Sequence, residues 1–153
     1  MPSLTITFSS PVEGPADRKV AVARRLAELT ERLLAKKRAV TAITVQEIAA
    51  SDWFIGDLSL AELGRASHHV VARVTEGTNT KVEKARFIAA VHDGLAEILG
   101  PSRPESYVVV QEVRADAWGF GGETQERRAV VDALAKEAET GSVFDAYRRF
   151  GIR

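Results

Sequence analysis

The sequence repeats itself, and the repeat limits what it can fold into. Residues 44–57 (TVQEIAASDWFIGD) set against residues 109–122 (VVQEVRADAWGFGG). Val45, Gln46, Glu47, Ala50, Trp53 and Gly56 recur as Val110, Gln111, Glu112, Ala115, Trp118 and Gly121. Each copy must then be one supersecondary unit that buries its apolar face against the other. The residues ahead of each copy say which unit. Leu4, Ile6 and Phe8 alternate with Ser3, Thr5 and Thr7, the period of a strand with one apolar and one polar face. Val22, Leu26, Leu29 and Leu33 then form one helical stripe, within a helix predicted over 15–38. Pro15 suits its first turn, and Lys36, Lys37 and Arg38 suit the negative end of its dipole. A second strand is predicted over 41–48, with Ile43, Val45 and Glu47 on one face. Two strands joined through a helix run parallel, by a right-handed crossover.

The second copy is read the same way. A strand over 68–75 carries Val70, Ala72 and Val74 on one face and His69, Val71, Arg73 and Thr75 on the other. Thr80 with Glu83 is a capping box opening a helix to residue 99, its stripe being Ile88, Val91, Leu95 and Ile98. Gly100 and Pro101 stop it, and a strand follows over 105–113. The fold class is therefore α+β: two tandem β-α-β units, 1–57 and 67–122, joined by 58–66. They make a four-stranded sheet with two helices on one face. The other face, with Ile48, Val71 and Val109, is left for an assembly partner. Residues 123–153 form a C-terminal helical extension with no counterpart in the first half. Its helix spans 126–139, with Val130, Leu134 and Ala138 on one side, and a last turn packs Phe144, Tyr147 and Phe150.

At 153 residues and 45% hydrophobic content, the chain can bury a core without disulfide or metal support. A formal net charge of +0 gives no basic field for nucleic acid. Lack of cysteine excludes thiolate catalysis and cysteine-ligated metals. No run is apolar enough to span a bilayer, and the N-terminus lacks a signal-peptide layout, so a cytoplasmic protein is expected.

The two halves differ where chemistry is concerned. The first begins with Pro2, the second with Ser67, His68 and His69 inside the chain. Removal of Met1 would leave Pro2 as a secondary amine. An α-amino group titrates near ~8, and burial lowers that value, which makes a base near neutral pH. The plain alternative is that Pro2 is an ordinary second residue. His68 and His69 point to opposite faces of a strand and cannot share an ion, and His92 has no partner at ligand spacing. No metal or cofactor is expected, since nucleophile-elbow, phosphate-loop and dinucleotide motifs are missing from the sequence. Arg73, a cation in an apolar strand, requires an anion: a substrate carboxylate, or Glu47 or Glu112 within an oligomer. Arg114 and Arg127 are further cation candidates.

An N-terminal proline, a β-α-β unit and a glycine-rich aromatic turn together resemble the tautomerase superfamily, typified by 4-oxalocrotonate tautomerase. Residues 109–122 carry the best match. Tandem halves are similar to the cis-3-chloroacrylic acid dehalogenase, malonate semialdehyde decarboxylase and macrophage migration inhibitory factor branches. The resemblance implies loss of Met1, Pro2 as catalytic acid or base, and a small enol or keto carboxylic acid as substrate. It implies an apolar wall from Trp53 and Trp118, to which Phe120 is added. It implies a homotrimer with sites near subunit contacts. The family's arginines fall here on Val12 or Thr78, and on Ala42 and Tyr107, so carboxylate binding is assigned to Arg73, with Arg114 beside it. The rival reading is a non-catalytic binding or scaffold protein on the same fold.

Overall fold

The computed structural model describes residues 1–139. They divide between two units, Met1–Glu112 and Val113–Arg153. The first opens with β1 (Ser3–Ser9), followed by α1 (Arg18–Leu34) and β2 (Ala42–Glu47). A small hairpin, β3 (Phe54–Ile55) and β4 (Leu58–Ser59), leads into a one-turn helix, α2 (Leu60–Leu63). The pattern then repeats as β5 (Ser67–Thr75), α3 (Lys81–Leu99) and β6 (Tyr107–Val113). The sheet order is β2-β1-β5-β6. β1 runs parallel to β2, as a helical crossover requires, and antiparallel to β5, where the two repeats meet.

The alternation read from sequence is the burial pattern observed. Leu4, Ile6 and Phe8 of β1 and Val70, Ala72 and Val74 of β5 are buried against Val22, Leu26, Leu29 and Leu34 of α1 and Phe87, Val91, Leu95 and Leu99 of α3. Each such side chain contributes about 1.5–3 kcal/mol relative to exposure. The opposite face is open: Tyr107 is 64% and Val109 40% exposed, beside half-buried Val71.

The centre of the sheet has a local two-fold relation. Leu4, Ile6 and Phe8 match Val70, Ala72 and Val74 in burial, and the register pairs Leu4 with Ala72 and Ile6 with Val70. Exchanging the repeats turns the Leu4–Ala72 pair into the Val70–Ile6 pair and leaves Thr5–Val71 in place.

Three boundaries differ from the sequence reading, each for a local reason. α1 begins at Arg18, because Pro15 instead closes a turn whose carbonyl accepts from the Arg18 amide at 3.0 Å. It ends at Leu34, because Ala35 takes a left-handed φ of 53° and its amide returns to the Thr30 carbonyl. The stretch 58–66, read from sequence as the joint between the repeats, is itself ordered: Ser59 and Glu62 form a capping box and Gly64, at φ 67°, closes α2.

In the second unit, a hairpin of β7 (Gly119–Phe120) and β8 (Glu123–Thr124) leads into α4 (Gln125–Glu139). Its build copies β3-β4-α2. The Leu60 amide donates to the Trp53 carbonyl at 2.9 Å, and the Gln125 amide to the Trp118 carbonyl at 3.1 Å. The repeat therefore runs past residue 122 into the start of the extension. Val130 and Leu134 are exposed on α4, and the turn expected around Phe144, Tyr147 and Phe150 lies outside the described residues.

Candidate active site

Pro2 continues the buried side of β1, two residues ahead of Leu4, and is itself buried. Its carbonyl accepts from the Ala42 amide at 3.4 Å, so the start of β2 fixes its backbone. The register puts Arg73 opposite Ser3, the residue after Pro2. Arg73 is half-buried and has neither an ion pair nor a hydrogen bond among the described residues. The carboxylates considered for it are taken within the chain: Glu47 by Arg18, and Glu112 by Lys84 at 2.9 Å.

A second cation reaches the same end of the sheet. α1 runs back toward the start of β1, and Lys36, two residues beyond its end, donates through Nζ to Thr78 Oγ1 at 2.9 Å. Thr78 Oγ1 in turn donates to the Thr75 carbonyl at 2.7 Å, at the end of β5 just past Arg73. Asn79, buried, donates from Nδ2 to the Leu34 carbonyl at 3.0 Å and ties the two turns together. Burial pushes the Lys36 ammonium below its ordinary pKa, and the Glu83 carboxylate opposes that shift. Sequence reading took Lys36 for a helix terminus. Only the early stop at Ala35 turns it inward, and no spacing rule marks that stop.

The aromatic residues lie elsewhere. Trp53, Phe54 and Ile55 line a cavity of about 290 Å³ with His69, Glu105 and Tyr107. His69 stands opposite Thr7, four residues along β1 from Ser3, a run of about 13 Å at ~3.3 Å per residue. Within one chain, Trp53 is thus at the far end of the strand from Pro2. In the second unit Arg114 holds Asp116 with two hydrogen bonds, at 3.1 and 3.0 Å, and keeps that carboxyl below its usual range. Phe120 stacks under Arg128, whose guanidinium carbon is 4.5 Å from the ring centre. Trp118 Nε1 is buried with no hydrogen-bond partner among the described residues.

Spacing analysis also missed a histidine pair. His68 is 0% exposed, and its ring lies 5.2 Å from that of His92. Neither nitrogen of His68 has a partner among the described residues. Burial, with His92 adding to it, pushes His68 down to about 4. The contact joins a strand to a helix, so no linear rule finds it. His69 is exposed on the opposite face, as strand alternation requires.

Comparison with known proteins bears on what this arrangement is. The sequence profile of the tautomerase enzyme family matches residues 67–128. The probable tautomerase K2 of Dickeya dadantii (strain 3937) is 36% identical over 56 residues, which are 37% of this chain and 84% of that protein. The chain belongs to the tautomerase superfamily. Solved structures agree on the fold of this superfamily member. A fused 4-OT solved as a symmetric trimer is 20% identical with a TM-score of 0.68, over 81% of this chain and 96% of its own. A native fused 4-OT is 22% identical with a TM-score of 0.68, over 80% of this chain and 97% of its own. A macrophage migration inhibitory factor-like protein from Entamoeba histolytica is 17% identical with a TM-score of 0.65, over 80% of this chain and 97% of its own. Among the described residues of this tautomerase-superfamily chain, no helix is long and apolar enough to cross a membrane.

Proposed function

We propose that this chain is a proton-transfer enzyme of the tautomerase type, acting on a small enol or keto carboxylic acid through Pro2 once Met1 is removed. The observation that carries the reading is the pairing of a buried strand-leading proline with two cations at the same end of the sheet. Arg73 has no anion of its own, and Lys36 is neutralised by no direct ion pair. The substrate carboxylate is the anion they take, held by a guanidinium fork and a compact ammonium. With the acid fixed there, the ring nitrogen of Pro2 takes a proton from one atom of the enol and returns it to the carbon two bonds away. Protonated Pro2 serves the related hydratase-like chemistry by donating to carbon while water adds.

The aromatic residues join this reading only through assembly. A homotrimer, as in the fused 4-OT neighbour, brings the Trp53 end of one copy to the Pro2 end of the next and excludes water there. The uncovered face of the sheet supports such packing. Trp118, Phe120 and Arg114 are assigned to the same wall from the neighbouring copy.

Intact-mass measurement on protein made in cells, followed by initial rates on enols such as phenylenolpyruvate and 2-hydroxymuconate, tests the reading. A mass lacking methionine with turnover on one of them is the expected result. Retained methionine with no turnover on the panel leaves the binding or scaffold reading in its place.

A further inference from the structure

The second repeat puts histidine at two positions where the first has apolar residues. His68 matches Pro2 at the head of the central strands. On the helices Val22, Leu26 and Leu34 match Phe87, Val91 and Leu99, which sets His92 against Ala27. A buried imidazole without a hydrogen-bond partner is costly, and only one of the two matched positions carries that cost. Beside His92 the surface opens into a cavity of about 380 Å³. Its polar lining is His92, Asp93 and Ser106, and its apolar lining is Ile88, Ala89, Pro104 and Val108.

The lining has a definite electrostatic character. Asp93 is exposed and has no ion pair among the described residues. Ser106 donates to the Arg103 carbonyl at 2.8 Å and reaches Ser67 Oγ at 3.3 Å, and its oxygen keeps acceptor capacity. Arg103, the neighbouring cation, is held by the Glu105 carboxylate at 3.0 and 3.2 Å. Arg25, across on α1, is held by Glu97 at 2.8 Å. No lysine or arginine lines the cavity, so it offers an anion a carboxylate and no counter-charge. Among the described residues no group of three ligating side chains comes together, which disfavours a bare metal ion.

We propose that this cavity binds a small organic ammonium ion, its charge on Asp93, an N–H on the His92 or Ser106 acceptor, and its hydrocarbon body on Ile88, Ala89, Pro104 and Val108. The site is separate from the Pro2 end, where Arg73 and Lys36 favour acids. The two sites would thus bind ligands of opposite charge.

Benzylamine and benzoate share a ring and differ in charge, so titrating the full chain with each, followed by two-dimensional NMR, is the test. Benzylamine should shift the His92 ring and the Asp93 amide saturably, and benzoate should move neither. Asp93→Asn, an exposed change on a helix, should weaken benzylamine about tenfold, the scale of losing one hydrogen bond to a charged group. Ser106→Ala should weaken it less. Benzoate binding as well as benzylamine overturns the proposal. So does unchanged benzylamine affinity in Asp93→Asn, or no saturable shift up to about 10 mM.

Discussion

The two ends of the β1–β5 pair are built on one plan and spend it differently. At one end stand Pro2 and Ala27, with Arg73, Lys36, Asn79 and their threonine neighbours as the polar groups. At the matched end stand His68 and His92, with an imidazole sealed in the core. The difference teaches that the repeat secures the fold while leaving each end free to carry its own chemistry. On the proposed removal of Met1 the first end would offer a secondary amine; among the described residues the second carries a buried titratable ring.

The sharpest way to break this comparison is at Pro2. Replacing it with alanine should lower turnover on an enol substrate by about 10²–10⁴-fold, the usual scale of a general acid–base group, with circular dichroism unchanged. Inserting one residue ahead of Pro2 should do at least as much, because it acylates the ring nitrogen and removes its lone pair. Equal rates in both variants and the parent retire the proline mechanism.

Next in size is the acid response of His68. Its folded value of about 4 lies below the ordinary 6.5, so the unfolded chain binds more protons between those values. Stability is then full above about 6.5 and falls as pH drops toward 4, by about 3 kcal/mol across that window. Urea unfolding midpoints measured from pH 7.5 to 4 should show the slope, and His68→Leu, which removes the titrating ring, should flatten it. A slope that survives His68→Leu assigns the titration to another group.

Smaller effects separate the cations. Arg73→Ala and Lys36→Ala should each raise KM for the acid about tenfold with little change in kcat, if both hold the ground-state carboxylate. A fall in kcat alone in either variant moves that residue from binding to the reacting end of the substrate. The smallest change compares the helix ends. α3 stops at Gly100, whereas α1 stops at Ala35 with φ 53°. Ala35→Gly relieves a left-handed alanine and should stabilise the chain by up to about 1 kcal/mol, read as a rise in Tm.

Much of this was legible in the sequence because it is periodic. The alternation of Leu4, Ile6 and Phe8 gave the buried face of β1, the Thr80–Glu83 pair gave the start of α3, and the repeated tryptophan turns gave the tandem plan. Family membership followed from the same residues. What sequence missed depends on contacts between elements. The approach of His68 to His92 arises when a strand packs on a helix, and Lys36 turns to Thr78 only because α1 ends early. The far position of Trp53 from Pro2 follows from strand length, which a motif does not express. The order within 58–66 was hidden because a two-residue strand and a one-turn helix are too short to show a period.

The exchange relation at Thr5 and Val71 has a consequence for how such a chain can vary. In a symmetric dimer of two identical short chains, every substitution is introduced twice, once on each side of the axis. A change such as proline to histidine at the head of that strand would then put two sealed imidazoles in one core. Joining the halves through residues 58–66 makes the second half a permanent neighbour at high effective concentration, so neither half needs to be complementary to a copy of itself. One half can then carry a costly residue while the other, unaltered, supplies the packing that keeps both folded.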